Sequence, residues 1–169
     1  MKYFAYGSNM LTHRLKQRVS SADFSEVVYL PKYQLVFDKV GSFCGTGKCG
    51  IVPSEDNSDL VYGVVFDMDE KQLPDLDYVE GLGNGYERME VTLFSMRDDK
   101  SISAITYYPT SRDPEVVPYD WYKAIVLKGA REHQLPEAYQ DFINSFGTMP
   151  DPDEDRAAQH WKIVNESVL

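Results

Sequence analysis

Hydrophobic and polar residues alternate in short stretches along the first two thirds of the chain, a pattern typical of strands. Apolar or alternating runs predict strands over residues 3–6, 26–30, 33–38, 51–53, 60–68, 86–96 and 101–108. The stretch from Leu60 to Phe66 is apolar at nearly every position, as expected for a central strand with both faces buried. The sheet is therefore predicted to come from the part of the chain before residue 110.

Other hydrophobic residues recur three and four positions apart, which is the period of amphipathic helices. This spacing predicts helices over residues 10–19, 74–80, 119–131, 135–146 and 156–164. In the helix over residues 135–146, the side chains predicted to face the core are Leu135, Tyr139, Phe142 and Ile143. Because most helices follow the strands, the order predicts an α+β fold with a largely antiparallel sheet. The length suits a single domain over residues 1–169.

The charge of the chain limits the partners that it can have. The formal net charge of −10 argues against a nucleic acid or an anionic membrane surface as partner, because both require positive charge on the protein. No apolar run approaches the ~18 residues of a membrane span. The apolar run after Lys2 is also too short for a signal peptide. These features predict a soluble protein of the reducing cytoplasm.

The cysteines and histidines show no spacing typical of metal ligands. Cys44 and Cys49 have no second pair nearby, so we predict no metal site. Two cysteines are too few for a disulfide scaffold, and a bridge between these two would close only a short loop. His13, His133 and His160 show no pairing pattern and are predicted to lie on the surface.

The segment from Tyr3 to Met10 combines a predicted strand, a polar turn and the start of a helix. The turn is Gly7-Ser8-Asn9, and turn residues at this point bring several backbone N–H groups together. Such a cluster can bind an anion, or an oxygen that becomes negative during a reaction. The alternative is an ordinary turn between a strand and a helix.

Glu80 lies at an unusual place on the short helix that begins near Pro74. It follows Leu76 by four residues and Leu73 by seven, so all three share one face of the helix. A carboxylate on an apolar face is costly to bury, and desolvation would raise its pKa and favour a role in proton transfer. The alternative is a carboxylate at the helix end that simply reaches solvent.

Three blocks of sequence, in order, resemble the γ-glutamylcyclotransferases. The first is Tyr3–Met10, and the second joins 62–66 to 76–81, which includes Glu80. The third comprises residues 122–125, 129–132 and 135–140. Together the blocks span residues 3 to about 143, which makes the resemblance much more specific than any single block.

This resemblance implies a small, mostly antiparallel β-barrel flanked by helices, with homodimers common among its members. It implies that the α-amine of a γ-glutamyl-amino acid attacks its own γ-carbonyl, giving 5-oxoproline and a free amino acid. Glu80 matches the general acid/base of the family, and no metal or organic cofactor is implied. The family's substrate-binding positions match Tyr3, Phe4, Ala5, Tyr6, Gly7, Ser8 and Tyr122.

Related activities remain open as alternatives. Some relatives of this family act on glutathione or on γ-glutamylamines, whereas the turn Tyr6–Met10 resembles the branch that acts on γ-glutamyl-amino acids. A module that binds a γ-glutamyl ligand without catalysis is a further alternative, although Glu80 is present. Lys39 and Lys48, which we predict on loops, are candidates to offset the negative charge near an anionic substrate.

Overall fold

The computed structural model describes residues 1–41 and 45–166. Cys44 is outside the described residues, so the prediction about a bridge between Cys44 and Cys49 lies there too. Within the described part, the chain forms seven strands and five α-helices. The strands are β1 (Lys2–Ala5), β2 (Asp23–Pro31), β3 (Tyr33–Val40), β4 (Gly47–Pro53), β5 (Leu60–Asp67), β6 (Tyr86–Ser95) and β7 (Ser101–Pro109). The helices are α1 (Thr12–Lys16), α2 (Leu73–Glu80), α3 (Asp120–Glu132), α4 (Glu137–Ser145) and α5 (Glu154–Asn165).

Five of these strands form a closed barrel in the order β1, β5, β2, β6, β7. All neighbours in the barrel are antiparallel except β1 and β7, which meet in parallel where Tyr3 pairs with Ile105 and close the barrel. Strands β3 and β4 form a separate antiparallel hairpin. The α+β class and the mostly antiparallel barrel are therefore confirmed.

The barrel interior is filled by the apolar side chains that the sequence pattern placed there. Strand β5 pairs with both β1 and β2, and Val64, Val65 and Phe66 are fully buried, as predicted for a central strand. Helix α3 packs against the segment that follows β1. A Cβ atom on Gly129 would lie only 2.6 Å from the backbone nitrogen of Leu11, so glycine allows this close approach. The contact fixes the N-terminal turn against α3.

Three local predictions were wrong. The first helix is shorter than predicted, because the backbone forms a 3₁₀ turn over Ser8–Met10 before α1 begins. Phe142 is 41% exposed, because its ring packs at the edge of α4 on Tyr139 and Phe146 instead of entering the core. Lys39 and Lys48 lie within β3 and β4, and not on loops.

The histidines also differ from their predicted surface positions: both ring nitrogens of His13 are buried, and the other two imidazoles pack on aromatic rings. The imidazole of His133 stacks on Phe24, and its Nε2 lies 2.9 Å from the carbonyl oxygen of Met10. The imidazole of His160 stacks on Trp121 with the ring centres 3.8 Å apart. Desolvation lowers the pKa of His160 to about 4, so the ring is neutral at physiological pH. Aromatic packing, which the spacing of histidines does not reveal, accounts for both positions.

Candidate active site

The turn after β1 lines a cavity and leaves two of its backbone N–H groups without a partner in the turn. The first hydrogen bond of the turn runs from the N–H of Met10 to the carbonyl of Gly7, so the N–H groups of Ser8 and Asn9 have no partner within the 3₁₀ helix. Gly7 lies against β4, where an added Cβ would be 2.9 Å from the Cβ of Cys49. The absence of a side chain at Gly7 therefore lets the turn approach this strand.

Helix α2 holds Glu80 at its last residue and directs the carboxyl group into the same cavity. Leu76, one turn earlier, is fully buried in the core, which confirms that Glu80 lies toward the apolar face. Gly81 then ends the helix with a φ of 72°, a left-handed conformation that favours glycine. The residue is half-buried, and its carboxyl group lines the cavity instead of projecting into bulk solvent.

The side chain of Asn9 holds the Glu80 carboxylate in place. Its Nδ2 donates a hydrogen bond of 2.5 Å to Oε1 of Glu80 and another of 3.1 Å to the hydroxyl of Tyr3. Its Oδ1 accepts a hydrogen bond of 2.9 Å from Nη1 of Arg18. Because the arginine can only donate, the carbonyl oxygen of Asn9 must face it and the amide nitrogen must face Glu80.

Opposing effects act on the Glu80 carboxyl group. Burial disfavours the charged form and raises its pKa above the ordinary value of a glutamate. The guanidinium of Arg18 and the hydrogen bond from Asn9 lower the pKa, and desolvation outweighs them. A carboxyl group with a raised pKa is a better proton acceptor when ionised, which suits general acid/base chemistry.

Tyrosines form most of the wall around the Glu80 carboxyl group. The cavity has a volume of about 30 Å³ and is lined by Tyr3, Tyr6, Gly7, Ser8, Asn9, Cys49, Glu80, Tyr86, Tyr107 and Tyr122. We call it the inner cavity. The hydroxyls of Tyr86 and Tyr122 bond to the carbonyl and the N–H of Cys49, at 2.5 and 3.1 Å. These bonds hold the rings rigidly around the cavity.

A wider cleft of about 700 Å³ adjoins the inner cavity, and its lining has four cationic side chains and two carboxylates, those of Asp77 and Glu80. The two spaces share Ser8, Glu80, Tyr86 and Tyr122. The cationic side chains of the cleft are those of Arg14, Arg18, Lys39 and Lys48. Although the whole chain has a net charge of −10, this cleft concentrates cations beside Glu80.

Comparison with known proteins identifies the family. A γ-glutamylcyclotransferase from Bos taurus is 39% identical over 146 residues, which cover 85% of this chain and 77% of the relative. The chain belongs to the γ-glutamylcyclotransferase family. The family member from Homo sapiens is 37% identical with the same coverage. A solved structure named gamma-glutamyl cyclotransferase has 30% identity and a TM-score of 0.84, covering 96% of this chain and 98% of that one. The AIG2-like family model matches residues 60–143, which include Glu80.

Most residues that the γ-glutamylcyclotransferase resemblance singled out come together in the structure. Tyr3, Tyr6, Gly7, Ser8, Glu80 and Tyr122 all line the inner cavity. Phe4 and Ala5 do not line it; both are buried within β1 and pair with Val65 and Val64 of β5. The direct contact of Phe4 and Ala5 with substrate stays a prediction, and their observed contacts support the strand that positions the turn.

Sequence reasoning missed several residues of this γ-glutamylcyclotransferase site. Asn9 was noted only for its backbone, although its side chain bonds Glu80. Arg14 and Arg18 were not singled out, although their spacing of four residues, which places two side chains on one helical face, was a signal that could have found them. Tyr86 and Tyr107 looked like ordinary strand residues.

The described residues do not offer a metal centre. Across residues 1–41 and 45–166, no cluster of three or more His, Cys, Asp or Glu side chains has the arrangement to hold a metal ion. In that same part of the chain, no helix is both long and apolar enough to span a membrane.

Proposed function

We propose that this chain is a γ-glutamylcyclotransferase that converts γ-glutamyl-amino acids to 5-oxoproline and a free amino acid, with Glu80 as general acid/base. The observation that supports this most directly is the position of the Glu80 carboxyl group. It lies in a tyrosine-walled cavity, held by Asn9, and the same cavity is lined by the turn at Gly7 and Ser8. A proton carrier and a set of backbone donors therefore face one small space.

The reaction requires protons to move from the α-nitrogen of the substrate to the leaving nitrogen. The α-ammonium group of the substrate has no lone pair, so ionised Glu80 first accepts a proton from it. The free amine then attacks the γ-carbonyl carbon, and a new C–N bond closes the five-membered ring. The bond between the γ-carbonyl carbon and the leaving nitrogen breaks as Glu80 returns the proton to that nitrogen. The ring nitrogen then gives up a second proton, which Glu80 accepts and passes to the released amine, so that the amino acid leaves with an ammonium group. Two protons thus pass from the α-nitrogen to the leaving nitrogen, and no water or other reactant is consumed.

The remaining acceleration comes from positioning and from charge stabilisation. The nucleophile and the carbonyl belong to one molecule, so a cavity that holds the glutamyl unit folded brings them into contact. The N–H groups of Gly7, Ser8 and Asn9 are the proposed donors to the oxygen that becomes negative, or to the α-carboxylate. Tyr3, Tyr6 and Tyr122 are proposed to form the walls that exclude alternative conformations of the glutamyl unit.

A product assay with a matched pair of variants tests this proposal. The purified protein is incubated with γ-glutamyl-alanine, and 5-oxoproline is measured. Glu80→Gln keeps the shape of the side chain and removes the proton carrier, so we expect kcat to fall by about 10²- to 10⁴-fold. Glu90→Gln makes the same chemical change at an exposed position on β6 and is expected to retain full activity.

The outcomes separate the alternatives. Product from wild type that persists in Glu80→Gln would mean that another group moves the proton. Binding of γ-glutamyl-alanine without turnover would favour a non-catalytic binding module. Parallel assays with glutathione and γ-glutamyl-lysine identify the branch of the family. Release of 5-oxoproline from only one of the three substrates assigns the substrate specificity. Release from glutathione would support a role in glutathione metabolism.

Two further parts of the proposal concern the cellular location and the oligomeric state of the enzyme. We expect a cytoplasmic location, and the buried free thiol of Cys49 is compatible with a reducing compartment. We also expect a homodimer, on the basis of the family resemblance. Cell fractionation tests the first expectation, and light scattering at several protein concentrations tests the second.

A further inference from the structure

Arg14 is a buried cation without a partner in the part of the chain that the structure describes. It lies on α1 and is only 8% exposed. No described carboxylate comes within 4.0 Å of its nitrogen atoms, and its Nε makes no hydrogen bond to a described residue. A buried arginine in a folded protein normally has a carboxylate or several carbonyl oxygens around it.

The electrostatic surroundings of Arg14 are unfavourable for a cation. Desolvation lowers the pKa of the guanidinium to about 10, and the nearby charge of Arg18 contributes in the same direction. Tyr122 and Glu80 raise the pKa, but their effect is smaller. The group is still charged at neutral pH, because that pH is well below this pKa. Burial of a cation that has no described carboxylate in direct contact reduces stability, so its presence favours an anion that binds there during function.

The location of Arg14 indicates which anion this is. Arg14 lines the wide cleft and does not line the inner cavity, whereas Glu80 and Ser8 line both. A substrate whose glutamyl carbonyl lies between Glu80 and the turn at Ser8 must extend its leaving group from the inner cavity into the cleft. The leaving group of a γ-glutamyl-amino acid ends in a carboxylate, and that carboxylate reaches the cationic side of the cleft.

We propose that Arg14 forms the binding site for the carboxylate of the leaving amino acid and thereby selects γ-glutamyl compounds whose leaving group is anionic. This inference rests on the proposed function. The planar guanidinium can donate two parallel hydrogen bonds to a carboxylate, and Arg18 adds a second positive charge beside it. Neutral leaving groups, such as amines and amides, gain none of these bonds and leave Arg14 uncompensated.

A comparison of two substrates of nearly equal size tests the assignment. In γ-glutamyl-alaninamide a neutral amide replaces the terminal carboxylate of γ-glutamyl-alanine. We expect wild type to prefer the acid by about 10- to 100-fold in kcat/KM, the range expected for hydrogen bonds to a charged group. In Arg14→Gln this ratio should fall to near one, because kcat/KM falls far more for the acid substrate than for the amide. Arg14→Lys keeps the charge without the planar fork and should give an intermediate ratio.

The exposed residue Arg97 provides a matched control. It lies just beyond β6, at the end of that strand opposite Tyr86, and Arg97→Gln makes the same chemical change there. This variant should keep the full preference for the acid. A change in preference at Arg97 would mean that the net charge of the protein, and not the Arg14 site, selects the substrate.

A stability measurement distinguishes ligand binding from a structural role. If Arg14 is kept for the substrate, Arg14→Met in the absence of ligand should unfold at the same or a higher urea concentration than wild type. A structural arginine would give a lower midpoint when replaced. γ-Glutamyl-alanine should then raise the melting temperature of wild type more than that of Arg14→Met.

Several results would overturn the inference. Equal kcat/KM values for the two substrates in wild type would do so without any variant. An equal loss of kcat/KM for both substrates in Arg14→Gln would show that the arginine binds the glutamyl part of the substrate. Absence of 5-oxoproline from every substrate would instead reject the proposed function. In that event calorimetric binding of the two compounds to wild type still decides whether Arg14 distinguishes acid from amide.

Discussion

The hydrogen bond from Asn9 to Glu80 leads to a quantitative prediction about pH dependence. Replacing Asn9 with alanine removes the donor to Oε1 of Glu80 and also the acceptor for Arg18. The bond favours the charged form of the carboxyl group, so its loss raises the pKa of Glu80. Because the proposed base must be ionised to accept a proton, the acid side of the kcat/KM profile should move to higher pH.

The size of this movement follows from the energy of the bond. A hydrogen bond to a charged group contributes about 1.5–3 kcal/mol, and Glu80 is half-buried, so the lower end of that range applies. Since one pH unit corresponds to about 1.4 kcal/mol, the acid limb should move upward by about one unit. Well above this limb the variant should retain much of its activity, because Glu80 itself is still present.

The assay is the initial rate of 5-oxoproline formation from γ-glutamyl-alanine, measured from acid to neutral pH. Thr106→Val is the control, because Thr106 is also fully buried and donates a hydrogen bond, in this case 2.8 Å to the carbonyl of Phe4. Its acid limb should coincide with that of wild type. An acid limb in Asn9→Ala that stays in place, or that moves to lower pH, would refute the assigned contact or the role of Glu80 as the titrating base.

Two further predictions concern packing and stability. Gly7→Ala should cost about 1–3 kcal/mol of stability and lower the activity, because the new methyl group meets Cys49 at 2.9 Å and displaces the turn; Gly147→Ala, where nothing lies within 4 Å, should change neither. Equal urea midpoints for the two variants would contradict this packing argument. The second change is His160→Phe, which should flatten the dependence of stability on pH. In wild type the unfolded chain binds a proton at His160 below pH ~6.5 and the folded chain only near about 4, so wild-type stability falls as pH decreases through this window. Parallel stability curves for wild type and His160→Phe would rule out this histidine as the source.

Local features of the fold and site were readable from the sequence. The apolar run of β5, the alternation along β6 and the phase of Glu80 relative to Leu76 depend on neighbours within one element, so their periods appear directly in the chain. The same holds for the turn at Gly7, whose residue types mark it. These features singled out Glu80 and the turn at Gly7 and Ser8, which line one cavity in the structure.

The positive cleft was not readable in this way, because it depends on topology. Arg14 comes from α1, Lys39 from β3 and Lys48 from β4, and only the packing of the hairpin beside the barrel brings them together. Lys39 also lies over the ring of Tyr86, with its Nζ 4.6 Å from the ring centre, a contact between residues far apart in sequence. The spacing of residues along the sequence does not reveal contacts of this kind.

The place of β1 in the barrel has a consequence for the order in which the protein folds. This strand precedes the other described strands in the sequence, yet its partners are β5 and β7, which extend to Pro109. The turn at its end therefore cannot adopt its final position until the chain as far as Pro109 has left the ribosome. Contacts of such long range slow folding. Until the barrel closes, β1 has an unpaired edge and exposed aromatic side chains, and both promote aggregation of the partly folded chain.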